Sequence, residues 1–215
     1  MMVDQWRQER SVARLRLGPM VLCLFGSVRA TPSTLLVNAA GGAAIFGAGD
    51  VVAQRIEQLN QRPAFSTMGE RLRHTFELPV SIPRMGQALT VGSIWGGYAI
   101  PAVYNTAEVL FPGRAGANIL LKACFSCGCL STVGNYAALV LRRTLAGGIN
   151  LPSVKRAVST ANSDIGGVVR TDLKIWPLYD ILCFGIVPAG VRPACTAVVS
   201  VLWHTYMSAI AHQHM

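Results

Sequence analysis

The chain has 215 residues, enough for one soluble domain or one compact membrane bundle. Hydrophobic residues make up 52% and charged residues 13%. That is about half the charged share of a typical soluble domain, so the composition favours a membrane protein. The net charge is +9. The basic residues flank apolar runs and form no dense patch with interleaved aromatic residues, which argues against a nucleic-acid partner.

The N-terminal segment, residues 1–29, is basic and contains an apolar run from Leu17 to Val28. No convincing signal-peptide cleavage site follows this run. Arginine-rich, acid-poor segments target mitochondria, although Asp4 and Glu9 weaken that match. We interpret residues 1–29 as an uncleaved mitochondrial address and residues 30–215 as a single membrane domain.

The first long uncharged run extends from Ala30 to Gly49. Its length suits a membrane-spanning helix, which needs about 20 mainly apolar residues. Small residues recur every four positions, and Gly47 belongs to one such row. Asp50 follows the run directly, and Gln54 comes one turn later on the same helix face. Asp50 lies either at the membrane surface or inside the bundle, where another helix bonds it.

The second and third uncharged runs are Met85 to Ala107 and Ala123 to Leu141. Gly92 and Gly96 form a row of small residues in the second run, and Gly134 contributes to one in the third. Such rows let helix backbones approach closely in lipid. We therefore predict one tightly packed bundle. Asn135 adds a neutral polar group within the third run.

The six cysteines all lie in apolar surroundings, and three of them are clustered at Cys124, Cys127 and Cys129. The cluster lacks a second CxxC at zinc-site spacing, and a helix spreads its thiols over different faces. We interpret the cysteines as small packing residues, with a redox role for Cys124 and Cys127 as the alternative. No metal or cofactor is predicted.

The last apolar stretch contains two charged residues, Asp180 and Arg192. Pro188 removes a backbone donor, and Pro193 restricts the backbone of Arg192, so this stretch is predicted to break as a tight turn or a kink. Arg192 then meets either lipid headgroups or freed carbonyl groups. The predicted fold is an all-α membrane bundle of four spanning units, the last broken by prolines.

The C-terminal stretch also carries the most specific pattern in the chain. Its members are Asp172, Trp176-Pro177, Phe184, Val187-Pro188, Arg192, Trp203 and Tyr206-x-Ser208, with Gly49, Asp50 and Gln54 upstream. Together they resemble a family of small eukaryotic organelle membrane proteins. That family includes the peroxisomal membrane twenty-two-kilodalton protein and an inner-mitochondrial-membrane protein linked to mitochondrial DNA depletion. The resemblance covers residues 31–211.

The resemblance implies four spans in the mitochondrial inner membrane, or alternatively the peroxisomal membrane. It also implies a channel-like role for an unsettled small solute, with an indirect link to mitochondrial DNA maintenance. It brings no catalytic residues. Asp180 departs from the family pattern, which has glutamine there, and Cys183 stands in place of an asparagine.

Two functions follow from these observations. The first is a solute path lined by the polar residues Asp50, Gln54, Asn135, Asp180 and Arg192. The second is a structural or accessory subunit of a larger inner-membrane complex or homo-oligomer, in which the same groups only tie helices together. An enzyme is not expected, because no paired carboxylates and no HExxH or GxSxG motif are present.

Overall fold

The structure is a computed structural model, and it describes residues 32–60, 67, 69, 78–113, 115–187 and 192–213. The predicted N-terminal segment, residues 1–29, and Pro188 lie outside the described residues. Arg192 is described as the first residue of a helix, while its side chain is outside what the structure describes.

The prediction of an all-α fold is confirmed, since the described residues form helices joined by short connections, without a strand. The α-helices are α1 (Pro32–Asn60), α2 (Ile82–Ile94), α3 (Ile100–Leu110), α4 (Gly116–Cys127), α5 (Asn135–Gly147), α6 (Leu151–Gly185) and α7 (Arg192–His212). Two π-helical segments, Trp95–Ala99 and Gly128–Gly134, join α2 to α3 and α4 to α5. The described chain therefore forms five long helical segments.

The first π-helical segment has a cause in the sequence. Pro101 follows it, and a proline ring clashes with the carbonyl group four residues earlier, here that of Gly97. The helix widens at this point, so the amide of Ile100 donates to the carbonyl of Trp95. In the second segment, the side-chain amide of Asn135 donates to the carbonyl of Ser131 (3.1 Å) and occupies an acceptor within the widened turn.

Two described helices are long and apolar enough to cross a membrane by length and composition, α1 and the continuous helix Gly116–Gly147. Large apolar side chains cover the outside of the bundle: Leu36 and Val133 are each 71% exposed. Asp50, in contrast, is 0% exposed. Buried charged groups together with an apolar exterior suit a lipid environment. The count of four spanning units stays a prediction.

Neighbouring segments along the chain run antiparallel. Gly42 of α1 meets Gly92 and Gly96 beside it, while Asp50, further along α1, meets Arg84 at the start of α2. The final helix runs parallel to α1, because Phe46 stacks on His204 and Asp50 bonds Ser208.

Helices α6 and α7 form a hairpin. The hydroxyl groups of Tyr179 and Thr196 are 2.5 Å apart, and the rings of Trp176 and Trp203 pack edge to face at 6.3 Å. Tyr206 reaches Thr171, one turn closer to the start of α6. The two apolar stretches on either side of Pro188 are therefore antiparallel arms, while the predicted break itself lies outside the described residues.

This alternation gives the bundle two ends, named here by their residues. The first end holds Pro32, Leu110, Gly116, Gly185 and Arg192. The second end holds Asn60, Ile82, Gly147, Leu151 and His212.

Glycines decide how closely α1 and α2 approach. A Cβ atom added at Gly42 would lie 2.2 Å from the carbonyl oxygen of Gly92 and 2.8 Å from the Cα of Gly96. At Gly47 it would lie 2.8 Å from a methyl group of Leu89. Gly134 differs: its nearest neighbours, at 3.6 Å, belong to its own helical segment. Three of the four predicted packing glycines thus lie where α1 contacts α2 and the π-helical segment that follows it.

Candidate functional site

Ionisable and polar side chains occupy the interior of the bundle at two levels. One group surrounds Asp50 towards the second end, and the other surrounds Asp180 towards the first end. We call them the Asp50 cluster (Asp50, Gln54, Glu57, Arg84, Arg142 and Ser208) and the Asp180 cavity, whose lining is given below.

The Asp50 cluster joins four helices through one carboxylate. Nε of Arg84 lies 2.9 Å from Oδ1 of Asp50, and Arg142 forms a second ion pair with the same oxygen. The hydroxyl of Ser208 donates to Oδ1, and the amide of Gln54 donates to Oδ2 at 2.8 Å. Helices α1, α2, α5 and α7 are thereby held at one point.

Arg84 extends the cluster to the surface of the bundle. Its Nη1 and Nη2 atoms pair with the two carboxylate oxygens of Glu57 at 2.5 and 2.9 Å, a bidentate geometry. Gln54 accepts a hydrogen bond from the amide of Ser81 at 2.7 Å, which fixes the start of α2. Two carboxylates and two guanidinium groups balance in formal charge. That balance makes burial of the four groups tolerable in a low-dielectric interior.

The Asp180 cavity has a volume of about 80 Å³ and lies between α6, α7 and the two π-containing segments. Its lining includes Trp95, Tyr104, Ser126, Ser131, Asn135, Asp172, Trp176, Asp180, Ser200, Trp203 and His204. Asp180 accepts hydrogen bonds from Ser126 (2.8 Å) and Tyr104 (3.3 Å). The thiol of Cys127 also donates to it, at 3.7 Å.

A second carboxylate, Asp172, lines the same cavity two helical turns earlier. It accepts hydrogen bonds from Ser131 and from the side-chain amide of Asn135, the latter at 2.8 Å. Asp172, Trp176 and Asp180 share one face of α6, because they are four residues apart. Neither carboxylate forms an ion pair with a cation among the described residues. The cavity is therefore acidic, and the donors that bond its two carboxylates within the described part of the chain are neutral.

A smaller space of about 30 Å³ lies between the two levels. Trp95, Asn135 and His204 line both this space and the Asp180 cavity, and Arg142 of the Asp50 cluster lines its other side. Polar groups thus follow one another from Asp180 through Asn135 and His204 to the ion pairs near the second end. The series is acidic towards the first end and rich in guanidinium groups towards the second.

The structure places four of the predicted polar residues on this series. Asp50 and Gln54 belong to the Asp50 cluster, while Asn135 and Asp180 line the cavity. The side chain of Asp50 is fully buried and bonded by other helices, which is the bundle-facing arrangement, while its depth in the membrane stays a prediction. Arg192 is at the start of α7, at the first end.

Two aromatic family-motif residues line the same cavity. Trp176 and Trp203 line it, and Tyr206 contacts both Trp203 (ring centroids 5.2 Å apart) and Thr171. Pro177 lies within the continuous helix α6. No group of three His, Cys, Asp or Glu side chains in the described ranges is arranged to hold a metal ion.

Several members of the site were not predicted from the sequence. Arg84 and Arg142 carry no prediction at all, and Asp172 and Ser208 belong to the family pattern without a predicted place in the site. A signal was present: Asp50 ends the first uncharged run, Arg84 precedes the second, and Arg142 follows the third. In antiparallel segments these three positions lie at the same level of the bundle. The ion pairs of Asp50 with Arg84 and Arg142 are therefore expected once successive segments are assumed to alternate in direction.

Comparison with known proteins identifies relatives. Residues 149–208 match the model of the Mpv17 / PMP22 family. The mitochondrial inner membrane protein Mpv17 of Rattus norvegicus is 26% identical over 192 residues, which are 87% of this chain and 94% of the relative. The protein of that name from Bos taurus is 25% identical with the same coverage. PXMP2/4 family protein 2 of Dictyostelium discoideum is 21% identical over 175 residues, 78% of this chain and 79% of that protein. No solved structure matches the chain.

These matches confirm the family resemblance inferred from the C-terminal motif and the Gly49-Asp50-Gln54 pattern. They also confirm the predicted localisation, since the Mpv17 relatives are named as mitochondrial inner membrane proteins. The PXMP2/4 relative is consistent with the peroxisomal membrane as the alternative.

Proposed function

We propose, from this likeness to the Mpv17/PMP22 family, that the chain provides a gated path for small solutes across the mitochondrial inner membrane. The path follows the polar series from the Asp180 cavity to the Asp50 cluster. Through it the protein contributes to metabolite balance in the organelle and, indirectly, to the precursor supply for mitochondrial DNA maintenance. No catalytic step is assigned to the chain.

The observation that carries this proposal is the acidic cavity within the bundle. Asp172 and Asp180 are both buried, and among the described residues neither has a cationic partner. Groups that only tie helices together would be expected to be neutral or paired, because an unbalanced carboxylate in lipid is costly. Two such carboxylates beside a cavity favour a hydrated cation or the cationic group of a solute as the occupant.

The Asp50 cluster supplies the closed position of this path. Its ion pairs fill the interior between the small space beside Arg142 and the second end, leaving Asp50 without exposure. Passage requires Arg142 or Arg84 to leave Asp50 temporarily. The exchange is feasible because Ser208 and Glu57 already bond these guanidinium groups.

The number of membrane crossings belongs to the same proposal. The sequence-based count is four units, the last made of the two arms on either side of Pro188. The antiparallel contacts between those arms instead favour five crossings, one for each long helical segment.

The test is conductance of the purified full-length protein in planar bilayers under a salt gradient. The wild-type protein is expected to conduct with a preference for cations. Asp180→Asn removes a carboxylate but keeps its shape. The preference for cations is therefore expected to weaken, and the reversal potential is expected to move towards zero. Asp180→Glu keeps the charge and is the matched control, which retains the preference.

Two results decide against the proposal. If the pure protein passes no current or solute at any voltage or pH, the path does not exist. If Asp180→Asn and Asp180→Glu both conduct with wild-type selectivity, Asp180 lies outside the path. Helical content and tryptophan fluorescence of each variant show that the comparison is between folded proteins.

A structural role is the second candidate, favoured by the way one carboxylate in the Asp50 cluster joins four helices. In that case the protein is a subunit of a larger inner-membrane complex or homo-oligomer. Native gels with crosslinking separate the two functions, because an accessory subunit comigrates with one large complex and the isolated chain passes no solute.

A further inference from the structure

The Asp180 cavity is lined by aromatic rings as well as by carboxylates. Trp95, Tyr104, Trp176 and Trp203 all contribute to its wall. Three of the four tryptophans of the chain therefore lie at one small cavity, and they come from three different helical segments. Helix contacts in lipid favour small side chains. Packing alone therefore does not explain why large rings from three segments meet here beside two carboxylates.

The arrangement of these rings suits a positively charged group. The planes of Trp176 and Trp203 are perpendicular (86°), with their centroids 6.3 Å apart, so the two rings form adjoining walls and not a stack. The hydroxyl of Tyr104 donates to Asp180 at 3.3 Å, which holds a third ring beside a carboxylate. The face of an aromatic ring attracts a cation that lies within about 6 Å of its centroid.

Both π-helical segments of the described chain border this cavity. Trp95 begins the first segment, and Leu130 and Ser131 belong to the second. Such segments are rare and occur frequently at functional sites. The extra residue in the widened turn rotates the neighbouring side chains into positions that a regular helix does not offer. Two irregularities of the backbone therefore converge on one place, and this observation is independent of the charges at Asp172 and Asp180.

The two carboxylates are oriented by their neighbours but can accept further hydrogen bonds. Asp172 is bonded by two side chains and Asp180 by three, all of them neutral. An ionised carboxylate has about four acceptor positions. Each therefore has room for at least one more donor. Because the present donors carry no charge, they fix the carboxylates in place without balancing them.

The size and composition of the cavity indicate which kind of cation fits. Its volume of about 80 Å³ is several times the roughly 10–15 Å³ that one water needs on this measure, so a group of several non-hydrogen atoms fits. Metal ions such as Mg²⁺ and Ca²⁺ require about six or more oxygen ligands. In the described ranges, no three acidic, histidine or cysteine side chains are arranged to hold one. An organic cation instead brings apolar surface, which the rings and side chains such as Ile100 can contact.

We propose that the Asp180 cavity binds an organic ammonium group, the protonated amine of a small solute. Asp172 and Asp180 supply the counter-charge, while Trp95, Trp176 and Trp203 surround the carbon atoms next to the nitrogen. The inference rests on the proposed function, because it names the class of solute that enters the path. It is also narrower than a general preference for cations, since it requires an organic cation to bind better than potassium.

The experiment measures binding to the purified full-length protein in lipid nanodiscs, without flux or voltage. Intrinsic fluorescence reports on the cavity, because three of the four tryptophans line it. The protein is titrated with ethylammonium chloride, with potassium chloride and with ethanol, at constant ionic strength and neutral pH. Potassium tests for charge without apolar surface, and ethanol tests for similar size without charge.

Four variants identify the groups that bind the ammonium ion. Asp180→Asn removes one carboxylate of the cavity. Its matched control is Glu108→Gln, which removes a carboxylate that is 54% exposed and does not line the cavity, while Lys122 keeps its bond to the carbonyl group of Gly113. Trp176→Leu removes a ring but keeps apolar bulk, and Trp176→Phe is its control because it keeps a ring.

The wild-type protein is expected to bind ethylammonium at least about tenfold more tightly than potassium or ethanol. Binding should be about tenfold weaker in Asp180→Asn and unchanged in Glu108→Gln, because only the first loses a charge beside the ligand. It should be about fivefold weaker in Trp176→Leu and reduced by less than that in Trp176→Phe.

The comparison of the three probes on the wild-type protein tests the inference even if a variant does not fold. Equal affinity for ethylammonium and potassium, or no binding of ethylammonium, overturns it. So do equal losses in Asp180→Asn and Glu108→Gln, or wild-type binding by Trp176→Leu. A protein that conducts potassium but does not bind ethylammonium keeps the solute path and loses this inference, whereas one that binds ethylammonium but passes no current or solute keeps the binding site and loses the path.

Discussion

At the scale of single residues, the interior depends on which buried charges have partners. Asp50 is surrounded by two guanidinium groups and two neutral donors, whereas Asp180 and Asp172 have neutral donors. The same residue type thus fills two roles in one bundle: a paired carboxylate that joins helices, and carboxylates that make a cavity acidic. The first role predicts a large effect on stability, and the second predicts an effect on selectivity.

We expect Asp50→Asn to destabilise the protein strongly. Asparagine keeps the shape of the side chain, but it leaves Arg142 buried without its counter-charge. Breaking one partner of a buried ion pair is destabilising by about 3–5 kcal/mol. The free energy of unfolding, measured in lipid–detergent micelles by denaturant titration, checks this value.

Glu57→Gln is the control for that measurement. It removes the other carboxylate partner of Arg84, at a position where the glutamate side chain is 33% exposed. Solvent screens this pair, so the expected loss is below about 1 kcal/mol. Equal losses in the two variants would show that burial does not distinguish the two ion pairs.

The sequence identifies the candidate site only in part, for a physical reason. Asp50, Asn135 and Asp180 interrupt or end apolar runs, and such residues are visible because polarity is rare there. Arg84 and Arg142 only border the runs, where cations are normal companions of lipid headgroups. Which flanking residues turn inward depends on the packing of four helices, and one helix's periodicity does not contain that information.

At the scale of helices, the contact between α1 and α2 depends on the absence of side chains. Gly42 lies against Gly92 and Gly96, so the two backbones touch over more than one turn. Without a hydrophobic drive between helices in lipid, such close contact is a main source of association. The sequence predicts this property from its rows of small residues, though the row containing Gly42 is not the one containing Gly47.

Two adjacent glycines provide a test of this contact. Gly42→Ala is expected to destabilise the protein by about 1–3 kcal/mol, because the new Cβ atom meets backbone atoms of α2 and the helices must separate. Gly41→Ala is expected to be stabilising by about 0.5–1 kcal/mol. Its Cβ atom meets nothing within 4 Å, and alanine favours a helix over glycine. Thermal unfolding of both variants checks the prediction, which a destabilised Gly41→Ala would contradict.

Other features of the helices follow from the sequence less directly. The uncharged runs of the sequence fall within the observed helices, but they do not predict the π-helical segments. Those segments depend on Pro101 and on the hydrogen bond of Asn135. The long helix α6 passes through Pro177 and carries several charged residues in its first half. Its polar first half hides its continuity from a search for apolar runs, so only its final part was recognised as a candidate membrane segment.

At the scale of the whole molecule, the bundle has an uneven charge distribution. Arg84, Arg142, Arg143, Lys155 and Arg156 all belong to the half of the bundle that adjoins the second end, while Asp172 and Asp180 line a cavity towards the first. Cations in short loops and near helix ends are retained on the side from which a membrane protein inserts. The second end is therefore expected to face the matrix.

This arrangement gives a topology prediction that separates four crossings from five. Five alternating segments place Pro32 and His212 at opposite ends, whereas four crossings return both termini to the same side. The test places one epitope just before Pro32 and another after the C-terminus. Mitoplasts, whose inner membrane is intact, are then treated with protease. The first epitope is expected to be degraded and the second to be protected until the membrane is lysed.

A third epitope in the link between α1 and α2, at residues 61–77, is the control and should be protected together with the C-terminal one. If the first and last epitopes behave alike, the α6–α7 hairpin does not cross as two helices and the count of four is correct. If they differ but in the reverse sense, five crossings stand and the charge-based orientation is wrong.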